Sequence, residues 1–140
     1  MLNKAIKIMF LGVLAFSLMG MGFGEHPDNA TAYKKLSASQ AKALMTDEEH
    51  YILLDVRTEE EFRERHIKGA ILLPYTEIKN RAAFELSDKD ALILIYCRSG
   101  RRSAIAAKEL IGMGYTQVYD FGGINDWPYE TASSADNSQQ

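Results

Sequence analysis

Ile93-Leu94-Ile95-Tyr96-Cys97-Arg98-Ser99-Gly100-Arg101-Arg102-Ser103-Ala104-Ile105-Ala106-Ala107 holds most of what the chain says about itself. The apolar run from Ala91 to Tyr96 has the length and composition of a buried strand. A short loop carrying a glycine and three arginines follows. From Ser103 the apolar residues Ile105, Leu110 and Ile111 fall among alanines, which predicts a helix packed on a sheet. The order is strand, tight loop, helix N-terminus, with the chain's single cysteine at the first loop position. A helix start offers unpaired N–H groups and a partial positive charge. Successive N–H groups in a curled loop form an anion nest. Arg98, Arg101 and Arg102 add full charges. A cysteine in that setting is predicted to have a lowered pKa and to act as a thiolate nucleophile. The competing reading is a small buried hydrophobe ending a core strand. The glycine, the arginines and the following helix favour the nucleophile.

Working outward, Gly112 and Gly114 end the helix, Gln117-Val118-Tyr119-Asp120 is a last strand, and Phe121-Gly122-Gly123 is a turn. Upstream, Tyr33 to Leu36 is a short strand, and Ser37 caps a helix running to about Thr46. Tyr51 to Val56 is a buried strand. Thr58 with Glu61 forms a capping box that opens a helix through Arg65. Ala70 to Leu73 is a strand stopped by Pro74, and Tyr75 to Phe84 is helical. Strands alternating with helices, and apolar without strict alternation, predict an α/β fold with a parallel sheet covered on both faces. Ligands in such folds bind at the carboxyl ends of strands, where Cys97 lies.

The 140 residues suit one domain, expected over residues 33–130. Residues 1–24 carry two lysines and no acid, which leaves 14 basic and 19 acidic side chains, a net −5. That balance argues against nucleic acid as a partner. It also makes the arginine loop a local positive focus suited to a small anion. One cysteine forbids an intramolecular disulfide, and His26, His50 and His66 lack zinc-ligand spacing, so no metal or other cofactor is expected. The basic start, the uncharged run from Ile8 to Gly24 and the small residues Gly22 and Gly24 predict an export signal cut after Gly24. The alternative is a membrane anchor at the short edge of spanning length. Either places the domain outside the cytoplasm, periplasmic or extracellular. Residues 25–32 read as a linker and 131–140 as a polar, disordered tail.

Three motifs then fall into a familiar order. Leu54-Asp55-Val56-Arg57, Glu61-Phe62, His66-Ile67-Lys68-Gly69-Ala70 and Leu73-Pro74 resemble the N-terminal signature of the rhodanese (thiosulfate sulfurtransferase) family. Cys97-Arg98-Ser99-Gly100-Arg101-Arg102 resembles its six-residue active-site loop, and Gly122-Gly123-Ile124-Asn125-Asp126-Trp127 its closing segment. The resemblance implies a five-stranded parallel α/β fold and a Cys97 that carries a persulfide. It implies a small anionic sulfur donor, such as thiosulfate, and a thiol or cyanide acceptor. Arg98, Ser99, Gly100, Arg101 and Arg102 are then the substrate-binding loop, with Arg102 facing the substrate and Arg98 pointing outward. Asp55 and Arg57 read as a structural pair bracing the loop, and Ser103 as the cap of the helix. A Cys97–His66 dyad is the less favoured reading, because the family uses no such base. Trp127 and Phe121 read as packing.

Three rival readings meet obstacles in the sequence. A phosphatase or arsenate reductase of related fold needs an arginine six positions after the cysteine. Here that position is Ser103, and the arginine is at five, Arg102. A non-catalytic carrier or binding module of the same family commonly lacks the cysteine, which this chain has. A dithiol redox protein needs a second cysteine.

Overall fold

A computed structural model describes residues 32–136. The expected export signal over residues 1–24 and nearly all of the linker lie outside the described residues, as do residues 137–140. The chain runs β1 (Lys34–Lys35), α1 (Ala38–Asp47), β2 (Ile52–Asp55), α2 (Glu59–Glu64), β3 (His66–Ile67), β4 (Ile71–Leu72), α3 (Ile78–Glu85), β5 (Leu92–Cys97), α4 (Arg101–Gly112), β6 (Gln117–Gly123) and β7 (Thr131–Ala132). Short 3-10 turns at Tyr75–Glu77 and Ile124–Asp126 complete it. Five strands form one sheet in the order β1-β6-β5-β2-β4, every pair parallel. This is the expected five-stranded α/β sheet, with β5 at its centre.

The period of a strand sorts β5 into two layers. Ile93, Ile95 and Cys97 join Leu54, Val56, Ile78 and Ala82, together with Ala106, Ala107 and Leu110 of α4. Leu94 and Tyr96 join Leu53, Ala41, Ile67, Phe121 and Trp127 on the other face. Ile93, Leu94, Ile95 and Tyr96 are fully buried, as a centre strand covered on both faces requires. Trp127 and Phe121 are packing residues, as read, with ring centroids 5.4 Å apart.

Both capping boxes form. The Ser37 side chain accepts from Gln40 N and Gln40 answers the Ser37 backbone; Thr58 and Glu61 do the same at α2. Three local expectations need correction. Helix α4 starts at Arg101, with Gly100 as its N-cap at φ 107°, so Ser103 lies inside the first turn and is not the cap. The left-handed conformation that glycine allows starts the helix two residues early. Phe121-Gly122-Gly123 belongs to β6, where the β5–β6 register shifts and Cys97 pairs with Gly123. His66-Ile67 is itself a strand. It pairs antiparallel with Thr131-Ala132, in what was read as a disordered tail. The tail continues the contact, since Ser134 N donates to Arg63 O at 3.0 Å. Composition cannot reveal this, because the partner is an unpaired strand edge far away in sequence.

Candidate active site

Strand β5 delivers Cys97 to the carboxyl edge of the sheet, and α4 begins four residues later. The loop between them curls around the sulfur. Gly100 N donates to Cys97 Sγ at 3.0 Å, and Ser103 Oγ lies 3.6 Å from Sγ. The Ser103 hydroxyl also lies within reach of the carbonyls of Gly100 (3.1 Å) and Gly122 (3.3 Å). It donates to a carbonyl while the thiol is protonated and can turn to the sulfur when the proton leaves. Burial pushes the Cys97 thiol up. Hydrogen bonds from the Ser103 backbone and hydroxyl, and from the Gly100 and Ser99 backbones, outweigh it, and the net shift is downward. Cys97 is held by loop N–H groups that favour its ionised form, and is only 1% exposed.

The sulfur sits at a cleft of about 540 Å³ lined by Arg57, Thr58, Pro74, Tyr75, Thr76, Cys97, Arg98, Ser99, Arg101 and Arg102. A second cleft of about 630 Å³ shares Thr58, Pro74 and Thr76 with it. The loop residues expected to bind substrate thus line one cleft, save Gly100, whose N–H reaches the sulfur.

The arginines divide into two kinds. Arg102 lines the cleft as expected, but both its terminal nitrogens are forked onto Glu61, at 2.7 and 2.8 Å. Hydrogen bonding to Arg102 holds the Glu61 carboxyl well down, at about 2. Arg98 and Arg101 are exposed and form no ion pair among the described residues. Arg98 lines this cleft and a neighbouring one with Arg57 and Asn125. The uncompensated charge is therefore on Arg98 and Arg101, whereas the sequence points first to Arg102.

Asp55 and Arg57 form the bracing pair. Arg57 Nε and Nη2 donate to the Asp55 carboxylate, the shortest contact being 2.7 Å, with both side chains buried. Arg57 Nη2 also reaches Arg65 O at 2.6 Å. His66 is engaged elsewhere: its ring stacks on Phe62 with centroids 3.9 Å apart, and Nδ1 lies 2.7 Å from Phe62 O. It does not line the Cys97 cleft, so the geometry gives no Cys–His dyad.

Sequence reasoning missed two residues. Gly123 was assigned to a turn, yet a Cβ there would lie 2.1 Å from Arg98 O and 2.7 Å from Ser99 Cα. The loop rests directly on this glycine. The Gly122-Gly123 pair was the available signal. Glu61 stands in the sequence as a capping residue and as part of the N-terminal signature, and no local pattern reveals its fork to Arg102.

The chain is similar to known proteins of one family. The family model described as rhodanese-like domain matches residues 37–130. Thiosulfate sulfurtransferase PspE of Escherichia coli K12 is 42% identical over 78 residues, covering 56% of this chain and 73% of the relative. The putative sulfur carrier protein YrkF of Bacillus subtilis is 36% identical over 110 residues, and the match spans 77% of this chain and 58% of that protein. A solved rhodanese with anions from E. coli superposes with a TM-score of 0.56 at 36% identity, covering 59% of this chain and 98% of that one.

Proposed function

The chain belongs to the rhodanese-like domain family, and from that premise we propose that it is a sulfurtransferase working through a Cys97 persulfide. The observation that carries the reading is the cradle at Cys97 Sγ, with Gly100 N–H at 3.0 Å and the Ser103 hydroxyl at 3.6 Å. The Cys97 thiolate attacks the outer sulfur of thiosulfate. A sulfur–sulfur bond forms to Cys97, the bond to the sulfonate breaks, and sulfite leaves with its electron pair. The product persulfide is an anion, and the loop N–H groups stabilise it as they would an oxyanion. Arg98 and Arg101 hold the sulfonate end. A thiolate or cyanide then attacks the outer sulfur and regenerates the Cys97 thiolate. No metal or other cofactor takes part in these steps.

Intact mass tests this. Thiosulfate should add one sulfur to the protein, and cyanide or dithiothreitol should remove it, as sulfane chemistry on a thiolate requires. Cys97→Ser should show neither change. A wild type that stays unmodified by every sulfane donor would overturn the reading. A non-catalytic carrier, the second reading, has support in the name of the Bacillus subtilis relative. It would load sulfur once but not turn over with cyanide. Cys97-dependent hydrolysis of aryl phosphates or reduction of arsenate would instead favour the rival with the longer loop.

We also propose that the domain works outside the cytoplasm, from the basic and apolar character of residues 1–24. N-terminal sequencing of the exported protein should begin near Glu25. Full-length chain embedded in membrane would replace the cleaved signal with an anchor.

A further inference from the structure

We propose that Glu61 is the positioning residue for anion binding beside Cys97: it fixes the Arg102 guanidinium at the cleft wall, and the arginine's remaining N–H groups meet the donor. The proposal rests on the sulfurtransferase reading for the identity of that donor. Glu61 Oε2 and Oε1 take Arg102 Nη1 and Nη2 end-on, at 2.7 and 2.8 Å, across 41 positions of sequence. A guanidinium has five N–H donors, so an end-on fork leaves three for other partners. The pair is sheltered, with side chains 17% and 26% exposed. Arg102 lines the Cys97 cleft and lies close enough to feel the charge of an ionised Cys97.

The protein contains its own control for the other role of Glu61. At α1 the same N3 position is Gln40, and a complete capping box forms with a neutral amide. Capping therefore needs no charge at this position. At α2 the carboxylate does something further: besides taking Thr58 N and Thr58 Oγ1 at 3.1 Å, it reaches across to the active-site helix. Thr58 lines the same cleft, so one carboxylate ties two parts of its wall together.

The test uses the full chain and Glu61→Gln, which keeps the box and removes the ion pair. The KM for thiosulfate should rise about tenfold while kcat changes less than about threefold, as loss of uniform substrate binding requires. Arg102→Ala should do the same, and Glu61→Gln in the Arg102→Ala background should add nothing, because residues acting through one contact are non-additive. Arg102→Lys keeps a positive charge but not the fork, and leaves α2 untouched. It should match Glu61→Gln and serves if that variant folds poorly. A second readout needs no sulfur transfer: methanesulfonate should protect Cys97 from iodoacetamide, and the half-protecting concentration should rise in all three single variants. Wild-type KM and wild-type protection in Glu61→Gln and Arg102→Lys would overturn the proposal, as would additive effects in the double variant. Glu61-dependent protection in a wild type that moves no sulfur would uphold the anion site and overturn the sulfurtransferase reading alone.

Discussion

A methyl group at position 123 would stand 2.1 Å from the Arg98 carbonyl oxygen and 2.5 Å from its carbon. Both are backbone atoms, so no side chain can swing aside. The backbone at Gly123, with φ −137°, suits any residue, so the requirement for glycine is purely one of space. Gly123→Ala should therefore push the loop away and misplace the N–H groups around Cys97. We expect a loss of about 1–3 kcal/mol in denaturant-midpoint stability, the usual cost of overpacking. Sulfur transfer should fall by about a hundredfold, since a displacement near 1 Å can cost that much. Gly112→Ala is the control. Open space surrounds that position, and alanine there should stabilise by about 0.5 kcal/mol. Equal behaviour of the two variants would show that the loop does not depend on this close approach.

Helices α2 and α4 meet through Glu61 and Arg102, and that joint is sensitive to acid. The Glu61 carboxyl falls from the ordinary 4.5 to about 2, with the hydrogen bond from Arg102 the largest cause. A carboxyl whose folded pKa is depressed contributes stability that is fully present above the unfolded value. The contribution is lost as pH falls from about 4.5 towards 2. Glu61→Gln removes that titration. Wild type should lose more stability than Glu61→Gln between pH 5 and pH 2.5, measured as urea midpoints across that range. Parallel pH profiles would mean that the ion pair carries no weight in the folded state. The same helix carries Glu59 and Arg63, exposed and four residues apart, whose pairing should matter little.

Tyr96 lies on the face of the sheet opposite Cys97. Its hydroxyl accepts from Ile67 N at 3.0 Å. Burial first, and then the charge of Asp55 and a hydrogen bond to it, push its ionisation far up, so it stays a neutral donor. Asp55 is in turn held by Arg57, which lines the Cys97 cleft. The Arg57 guanidinium lies over the Tyr96 ring, 5.7 Å from its centroid, so the brace rests on Tyr96 and reaches the Cys97 cleft. Tyr96→Phe leaves the buried Ile67 N–H without its partner, which should cost about 1–3 kcal/mol of stability. Cys97 should still take up sulfur from thiosulfate, because its own hydrogen bonds are untouched. A variant as stable as wild type would show that the hydroxyl is dispensable.

What could be read along the chain was what short-range chemistry dictates. The alternation of strands and helices, the capping boxes at Ser37 and Thr58, and the run from Leu92 through the arginine loop all depend on neighbours a few positions apart. The Asp55–Arg57 brace was legible for the same reason, since its partners are two residues apart. Other features depend on contacts between distant parts of the chain. An arginine looks the same in sequence whether a carboxylate neutralises it or not, so Arg102 was favoured over Arg98 and Arg101 as the free charge. Gly100 opens α4 earlier than apolar spacing suggested, because a left-handed cap is a property of backbone geometry rather than of hydrophobic pattern. The pairing of Thr131-Ala132 with His66-Ile67 gives no sign in a polar composition. Local order follows from propensity and pattern, whereas charge compensation, edge pairing and the space allowed at Gly123 are decided only when folding brings remote segments into contact.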